Sequence, residues 1–111
     1  MTNIEHILKI LADRNRLRIL NLLYAKKLCV CELSHVVGIA QPSVSRHLKK
    51  LKSAGLIREA QNGLWTDYVP VSDGVFKMLW KQVSPLLTDA QFKKDLRELK
   101  TANRNELCSK S

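Results

Sequence analysis

The sequence predicts a mainly α-helical domain with one small β-hairpin, arranged as a winged helix-turn-helix that is homodimeric through its terminal helices. Apolar residues recur at helical spacing at both ends, a glycine-containing turn joins two short central helices, and a hairpin signal follows directly. The 111 residues suffice for one domain but not two. We assign residues 1–102 to this domain and residues 103–111 to a polar tail that we expect to be mobile.

Two helices are predicted at the N-terminal end. Helical spacing of apolar residues over about residues 3–12 predicts a first amphipathic helix. Asp13-Arg14-Asn15 is a polar break, in which Asp13 or Asn15 can cap the next helix. That second helix has a wide apolar face, which is typical of a helix at the centre of a domain, and it ends at Lys26-Lys27.

The next two helices form the predicted helix-turn-helix. The third helix covers about residues 30–37 and stops at Gly38. Gln41 is expected at the cap position of the fourth helix, with Pro42 in the first turn, where a missing N–H costs nothing. This fourth helix turns its apolar residues inward and ends near Ala54-Gly55.

A hairpin and two more helices complete the domain. Residues 56–60 and 64–69 are the predicted strands, and they flank Gln61-Asn62-Gly63, because asparagine and glycine both accept a positive φ. After Pro70, a helix is expected to carry one apolar stripe of Val75, Met78, Leu79 and Val83, with Phe76 and Trp80 beside it. Thr88-Asp89-Ala90-Gln91 predicts a capping box for the last helix, which Phe92, Leu96 and Leu99 continue. These helices carry more apolar surface than so small a core requires, which favours pairing with a second copy over packing within one chain.

The charge of the chain indicates a polyanionic partner. Nineteen lysines and arginines against ten acidic residues give a net charge of +9, and each neutralised phosphate of a nucleic acid releases counterions. A basic surface that only aids solubility is the simpler alternative, and a membrane surface is disfavoured because no basic amphipathic segment has an aromatic insertion face. No apolar run approaches the ~20 residues of a membrane helix, and no signal peptide is visible, so we expect a cytoplasmic protein.

The fourth helix and the hairpin carry the candidate contacts to double-stranded DNA. The N-terminal residues of such a helix reach base edges, whereas later lysines meet phosphates. The candidates for base contact are Gln41, Ser43, Ser45, Arg46 and His47; those for phosphate are Lys49, Lys50 and Lys52; those on the hairpin are Arg58, Gln61 and Asn62. The alternative for each is simple solvent exposure, and His47 can instead be a partly buried histidine that packs the helix.

From about residue 8 to residue 71 the chain resembles the ArsR/SmtB family of metal-responsive winged-helix repressors. The matching stretches are Leu11-Ala12-Asp13, Arg16-Leu17-Arg18-Ile19-Leu20, Leu28-Cys29-Val30-Cys31-Glu32-Leu33, Gln41-Pro42-Ser43-Val44-Ser45-Arg46-His47-Leu48, Leu51, Gly55-Leu56-Ile57, Gly63-Leu64-Trp65 and Tyr68. The Pro-Ser-x-Ser-Arg-His-Leu string, at its distance from Leu-Cys-Val-Cys-Glu-Leu, is specific.

The resemblance implies a homodimer that sits on an operator with two-fold symmetric half-sites and leaves it when a toxic ion binds. Cys29-Val30-Cys31 is similar to the sensor of the family's arsenic and antimony repressors, and of its cadmium and lead repressors. The arsenic type has a third cysteine where this chain has Ser34, so the third ligand is open. Because no histidine follows His47, we expect no zinc or nickel site of the kind that other members carry on their last helix.

Thiolates at Cys29 and Cys31 would select soft ions such as As(III), Sb(III), Cd(II), Pb(II) or Hg(II). Residues i and i+2 of a regular helix point about 200° apart, so either the third helix begins after Cys29 or ion binding unwinds its first turn. No Ser, Thr, Asp or Asn cap precedes the pair, so we expect a helix start that deforms easily and tilts the fourth helix. The helix N-terminus, with Lys26 and Lys27 nearby, is expected to lower the thiol pKa.

Cys108 is the third candidate ligand, reaching in from the tail of either protomer. A water molecule or an exogenous thiol are alternatives, as is an idle Cys108. Cys29 and Cys31 can also be small buried hydrophobic residues, and the pair, or one member with Cys108, can instead oxidise to a disulfide. A structural disulfide framework is improbable in a chain without an export signal.

Three functional hypotheses follow. The first is a repressor that is released when As(III) or a similar ion binds Cys29 and Cys31, with no cofactor required for DNA binding. The second keeps the DNA role but takes thiol oxidation as its input, and the third is an architectural DNA-binding protein without an effector. An enzyme is not expected, because the chain has no Gly-rich phosphate loop, nucleophile elbow or zinc-hydrolase histidine pair.

Overall fold

The computed structural model describes residues 4–71, 74–104 and 108, and it confirms the mainly helical, winged helix-turn-helix architecture. The elements in chain order are α1 (Ile4–Leu11), α2 (Arg14–Ala25), α3 (Val30–Val37), α4 (Gln41–Ser53), β1 (Ile57–Asn62), β2 (Trp65–Pro70), α5 (Gly74–Val83), a 3-10 turn (Ser84–Leu86) and α6 (Ala90–Thr101). No helix among the described residues is long and apolar enough to cross a bilayer.

Helix α2 occupies the centre of the domain, as its wide apolar face predicts. Its Ile19, Leu20 and Leu22 are fully buried. Asp13 is the N-cap, and its carboxylate accepts a hydrogen bond of 3.1 Å from the backbone N–H of Arg16. Removal of this much aliphatic surface from water is the main source of stability, at about 1.5–3 kcal/mol for each buried side chain.

The helix-turn-helix has the predicted helices, but the N-cap of α4 differs from the predicted one. Helix α3 ends at Gly38, whose φ of 81° lies in the left-handed region that favours glycine. The N-cap of α4 is Ala40 and not Gln41, which is the first helical residue. The expected capping role of Gln41 is therefore wrong, because the extended backbone of Ala40 already presents its carbonyl to the N–H groups of Ser43 and Val44.

The hairpin has a different turn from the predicted one. Asn62 still pairs with Trp65 as the last residue of β1, so the two-residue loop is Gly63-Leu64 and not a turn centred on Asn62-Gly63. Gly63 has a φ of 63°, whereas no described non-glycine residue has a positive φ. A positive φ at the first central position alone is the type II′ pattern, which needs glycine only there.

The face of α5 that packs on the core is the one that carries its aromatic residues. Phe76 and Trp80 face the core, and the Trp80 ring stacks on Tyr24 of α2 with 5.0 Å between centroids. Val75 and Met78 of the predicted apolar stripe are 72% and 70% exposed in the single chain, whereas Leu79 and Val83 pack partly against the core. The large aromatic rings bury more area against α2 than the smaller side chains can, and this decides which face turns inward.

Helix α6 packs on α2, and its N-terminus also differs from the prediction. The N-cap is Asp89 rather than Thr88, and the Asp89 carboxylate forms an ion pair of 2.8 Å with Arg14. Gln91 does not complete a capping box, because its side-chain amide donates to Asp95 at 2.9 Å. The N-terminus of α6 is thus tied to α2 by the Arg14–Asp89 ion pair, and the predicted capping box between Thr88 and Gln91 does not form.

Candidate DNA interface and thiol site

Helix α4 presents one polar face to solvent. Val44, Leu48 and Leu51 are buried against the core, which turns the opposite side of the helix outward. The exposed candidates on this helix are Gln41, Ser45, Arg46, Lys49, Lys50 and Lys52. Ser43 is half-buried, and its hydroxyl accepts a hydrogen bond of 3.0 Å from the Arg46 guanidinium. The base-contact and phosphate-contact candidates therefore share one outer surface.

His47 lies at the edge of that surface and faces the domain. Its Nδ1 atom is 3.3 Å from the guanidinium of Arg16, which also donates to the carbonyl of Ile10 at 2.6 Å. Burial lowers the pKa of His47 below its usual value. Because arginine has only donors, Nδ1 is the acceptor, and His47 is a packing histidine that joins α4 to α2.

The hairpin residues Arg58, Gln61 and Asn62 are exposed beside α4. Gln61 donates to the carbonyl of Gly63 at 3.1 Å, and Asn62 donates to the carboxylate of Asp67 at 3.3 Å. Both amides thus hold the tip of the hairpin in shape. The side-chain oxygen of Gln61 also accepts a hydrogen bond of 3.2 Å from the Thr66 hydroxyl.

Several cations of this surface keep an uncompensated charge. Lys52 pairs with Glu59 at 3.1 Å, which offsets its charge. Within the described parts of the chain, Arg46, Lys49, Lys50 and Arg58 have no acidic partner. These four cations give the outer face of α4 and the hairpin a positive charge, as an interface with phosphates requires.

The three cysteines occupy two different environments. Cys29 is the N-cap of α3 and is a free, buried thiol, so this helix does begin after Cys29. Cys31 lies in the first turn of α3 and forms a disulfide with Cys108, with 5.8 Å between their Cα atoms. The structure thus pairs Cys31 with Cys108 rather than with Cys29. Cys108 and Arg104 of the predicted tail both pack on the domain.

The start of α3 is better held than the sequence suggested. The carboxylate of Glu32 accepts a hydrogen bond of 3.1 Å from the backbone N–H of Cys29, which is one half of a capping box. Our expectation of an uncapped start is therefore wrong, whereas the expectation that ion binding deforms this start stays a prediction. Ser34, which stands where the arsenic-type repressors have a third cysteine, donates to the carbonyl of Ile39 at 2.5 Å and so holds the turn between α3 and α4.

The environment of Cys29 also corrects the expected thiol pKa. Burial raises the pKa of the Cys29 thiol, and this outweighs the hydrogen bond from the backbone N–H of Glu32. The lowering that we expected from the helix N-terminus and from Lys26 and Lys27 is wrong for this residue. Cys29 is therefore mainly a protonated thiol at neutral pH.

We predict that Cys29 is alkylated slowly in the folded protein. Iodoacetamide at neutral pH should modify it far more slowly than in denaturant, because the thiol is buried and its pKa is raised. The rate should continue to increase above the usual pKa of a thiol. Mass spectrometry of timed samples, without reductant, measures the rate, and equal rates for folded and denatured protein would contradict the assignment.

A buried ionic cluster surrounds this thiol, and the sequence reasoning missed it. Leu28 forms a β-bridge with Tyr68, which places Cys29 beside the middle of β2. There the ligand atoms of Cys29, Glu32 and Asp67 all lie within 4.8 Å of one another. Arg104 covers them. Only the Cys29-x-x-Glu32 spacing was a readable signal, as a capping-box position, whereas Asp67 and Arg104 are distant in sequence.

Comparison with known proteins places this architecture in a family. The pattern described as "Bacterial regulatory protein, arsR family" matches residues 13–59, which contain α2, the helix-turn-helix and the start of the hairpin. An uncharacterized HTH-type transcriptional regulator of Methanocaldococcus jannaschii is 36% identical over 74 residues, which are 66% of this chain and 83% of that protein. The chain belongs to the ArsR family. This family consists of regulatory proteins, which confirms the expectation that the chain is not an enzyme.

Two further proteins that are similar to this chain are informative. The arsenic resistance transcriptional regulator ArsR1 of Pseudomonas putida is 44% identical over 64 residues, which are 56% of this chain and 49% of that protein. The chain thus spans about half the length of this relative. The homodimeric winged helix-turn-helix DNA-binding domain Mb0332 of Mycobacterium bovis has a TM-score of 0.67 and 28% identity, covering 75% of this chain and 76% of that one.

Proposed function

We propose that this ArsR-family chain is a dimeric transcriptional repressor that leaves its operator when As(III), or a similar soft ion such as Sb(III), Cd(II), Pb(II) or Hg(II), binds its thiolates. The observation that carries the proposal is the pairing of Cys31 with Cys108. Once reduced, these two residues offer adjacent sulfurs, and soft thiolates select soft ions. The arsenic resistance regulator of Pseudomonas putida supports As(III) as the first choice.

The chemistry of capture needs no outside reductant once the thiols are free. Each thiol proton leaves as water with one hydroxide of arsenous acid, while one As–S bond forms. Cys31 and Cys108 supply two such bonds, and Cys29 or an exogenous thiol is the candidate for the third. Cys29 is the N-cap of the helix that carries Cys31, so binding of one ion by all three sulfurs would distort the first turn of α3.

In the proposed mechanism, an ion bound by the cysteines affects the DNA-reading face of α4 through side-chain packing. Leu33, Val36 and Val37 of α3 are buried in the same core as Val44 and Leu48 of α4. Because close-packed side chains transmit displacement rather than absorb it, a shift of the first turn of α3 moves α4. In the proposed mechanism, that movement separates the exposed candidates Arg46 and Lys49 from the DNA groove.

The dimer is proposed from unpartnered apolar residues and from the neighbouring structure. The exposed large hydrophobic residues of α1, α5 and the 3-10 turn include Ile4, Leu8, Val75, Met78 and Leu86. Such residues near both chain ends are what an interface between two copies buries. The homodimeric Mycobacterium bovis domain shares this fold.

The deciding experiment compares wild-type protein with the double variant C31S/C108S. The probe is a DNA duplex selected by the reduced protein from a random pool, and binding is followed by fluorescence anisotropy under anaerobic conditions with a phosphine reductant. As(III) should weaken wild-type binding by about 5- to 150-fold, the range of typical allosteric coupling. The double variant should bind the duplex as the wild type does and should not respond. Two chains per duplex at saturation is the stoichiometry that a dimer requires.

Cys29→Ser is the matched control, because it removes the thiol outside the pair. A weakened but retained response would identify Cys29 as the third ligand. Normal release of the C31S/C108S variant by As(III) would overturn the proposal.

The disulfide between Cys31 and Cys108 favours one second candidate, a repressor that responds to thiol oxidation. Two thiols would lose two electrons and two protons to an oxidant such as peroxide, which becomes water. Peroxide without reductant would then release DNA, and As(III) under reducing conditions would have no effect. The two inputs are separated by the same anisotropy measurement.

A further inference from the structure

Arg104 joins the tail to both halves of the DNA-reading surface. Its guanidinium donates two hydrogen bonds to one Glu32 carboxylate oxygen, at 2.8 Å and 3.2 Å, and it also pairs with Asp67. The group lies over the ring of Trp65, 5.0 Å from the centroid. One side chain therefore contacts α3 and β2 at the same time.

The two carboxylates depend on this contact. Glu32 is 2% exposed and Asp67 is 0% exposed, and a buried charge is costly unless a counter-charge accompanies it. Among the described residues, Arg104 is the cation that pairs with both of them. Its position is therefore strongly coupled to the positions of Glu32 and Asp67.

Each of the two carboxylates supports a different part of the protein's candidate DNA-binding surface. Glu32 holds the backbone N–H of Cys29 at the start of α3, and α3 packs on the recognition helix α4. Asp67 accepts a hydrogen bond from Asn62, the candidate contact at the tip of the hairpin. The Arg104 guanidinium is thus the point where the supports of helix and hairpin meet.

The Cys31–Cys108 pair is linked to Arg104 by one backbone hydrogen bond. The backbone N–H of Cys108 donates to the carbonyl of Arg104 at 2.8 Å, and Cys108 is bonded to Cys31. Any link between these sulfurs, through an ion or a disulfide, ties the tail to α3. Arg104 is then held in the buried cluster.

We propose that Arg104 is the positioning residue that transmits the state of the Cys31–Cys108 pair to both the recognition helix and the hairpin. The inference rests on the proposed function. Joined sulfurs hold the guanidinium between Glu32 and Asp67, which fixes the start of α3 against β2. Free sulfurs loosen the tail and this clamp, and the helix and hairpin can adjust to DNA independently.

Replacing Arg104 with glutamine tests the coupling. We expect R104Q, when reduced, to bind the selected duplex as the wild type does, and to bind As(III) with the same stoichiometry. The loss of DNA affinity on As(III) binding should fall from about 5- to 150-fold to at most about twofold. Anisotropy measures the loss of DNA affinity, and elemental analysis of desalted protein measures the bound arsenic. A merely structural defect is recognised because the variant then binds less arsenic.

Arg104, Glu32 and Asp67 line a cleft of about 490 Å³, which Lys100 also lines. The control is Lys100→Gln, which removes an exposed positive charge from this cleft and should respond as the wild type does. If R104Q fails to fold, R104K carries the test. Lysine keeps the counter-charge but lacks the planar fork that contacts both carboxylates, so its response should also be reduced.

The two proposals fail in different ways. If wild-type protein does not respond to As(III), the proposed function is wrong. If the wild type responds and a folded R104Q or R104K variant that binds As(III) responds equally, the role of Arg104 is overturned.

Discussion

Replacing Asp95 with alanine is expected to lower the free energy of unfolding by about 3–5 kcal/mol, the usual result of removing one partner from a buried ion pair. Asp95 is 1% exposed, and its two carboxylate oxygens each accept a hydrogen bond of 2.8 Å from the Arg18 guanidinium. The variant leaves Arg18, with a side chain 11% exposed, without that counter-charge. Denaturant unfolding at one fixed protomer concentration measures the change, since the proposed dimer would unfold in a concentration-dependent way.

The location of this pair explains why the effect is large. Arg18 lies on the central helix α2 and Asp95 on α6, and Gln91 adds a third hydrogen bond to the same carboxylate. Removal of Asp95 therefore affects the docking of α6 as well as the burial of a charge. The tail that carries Arg104 and Cys108 follows this helix directly.

Glu98→Ala is the matched control on α6. Glu98 pairs with Lys94 at 3.9 Å, but both side chains are well exposed. Pairs of this kind contribute little, so its unfolding midpoint should stay near that of the wild type. Equal midpoints for the Asp95 and Glu98 variants would show that the buried pair does not hold α6.

Replacing Arg46 with alanine is expected to weaken binding to the selected duplex by about 10- to 100-fold, since a good bidentate base contact discriminates by about 1–3 kcal/mol. Arg46 is exposed on the outer face of α4, near its N-terminal end, where such helices reach base edges. Its hydrogen bond to Ser43 already orients the guanidinium along that face. Anisotropy on the selected duplex and on a scrambled duplex measures both affinity and specificity.

Two controls separate base contact from charge. Lys50→Ala should weaken binding to both duplexes alike and reduce the slope of log affinity against log salt by about one. Lys77→Ala, an exposed cation on α5, should change neither. Equal losses for the Arg46 variant on both duplexes would assign Arg46 to a phosphate and not to a base.

The local signals of the sequence were sufficient for the order of the elements. Helical apolar spacing, Asp13 as a cap and Gly38 as a helix stop are decided within a few residues of chain, and the structure agrees with each. The details that failed were choices between near-equal local options. The hairpin turn lies one residue later than predicted and uses Gly63, and the apolar spacing left open which face of α5 packs on the core, where Trp80 stacks on Tyr24.

In the candidate site, too, some features could be predicted from the sequence and others could not. The exposed face of α4 followed from the burial of Val44 and Leu48, which the spacing predicts. The sequence also indicated that cysteine thiols lie close to the predicted DNA-binding helix. It did not show which cysteines meet, because Cys31 and Cys108 are separated by 77 positions and their distance depends on where the tail docks.

By itself, the sequence determined the elements, the polar face of α4 and the presence of thiols at the start of α3, because periodicity and capping act over one or two helical turns. Only the tertiary structure decided the partner of Cys31, the burial of Cys29 and the meeting of Glu32, Asp67 and Arg104. These depend on a β-bridge at Leu28 and on the docking of the tail. Burial then imposes the pairing, because two carboxylates removed from water require a cation that only the folded chain can bring to them.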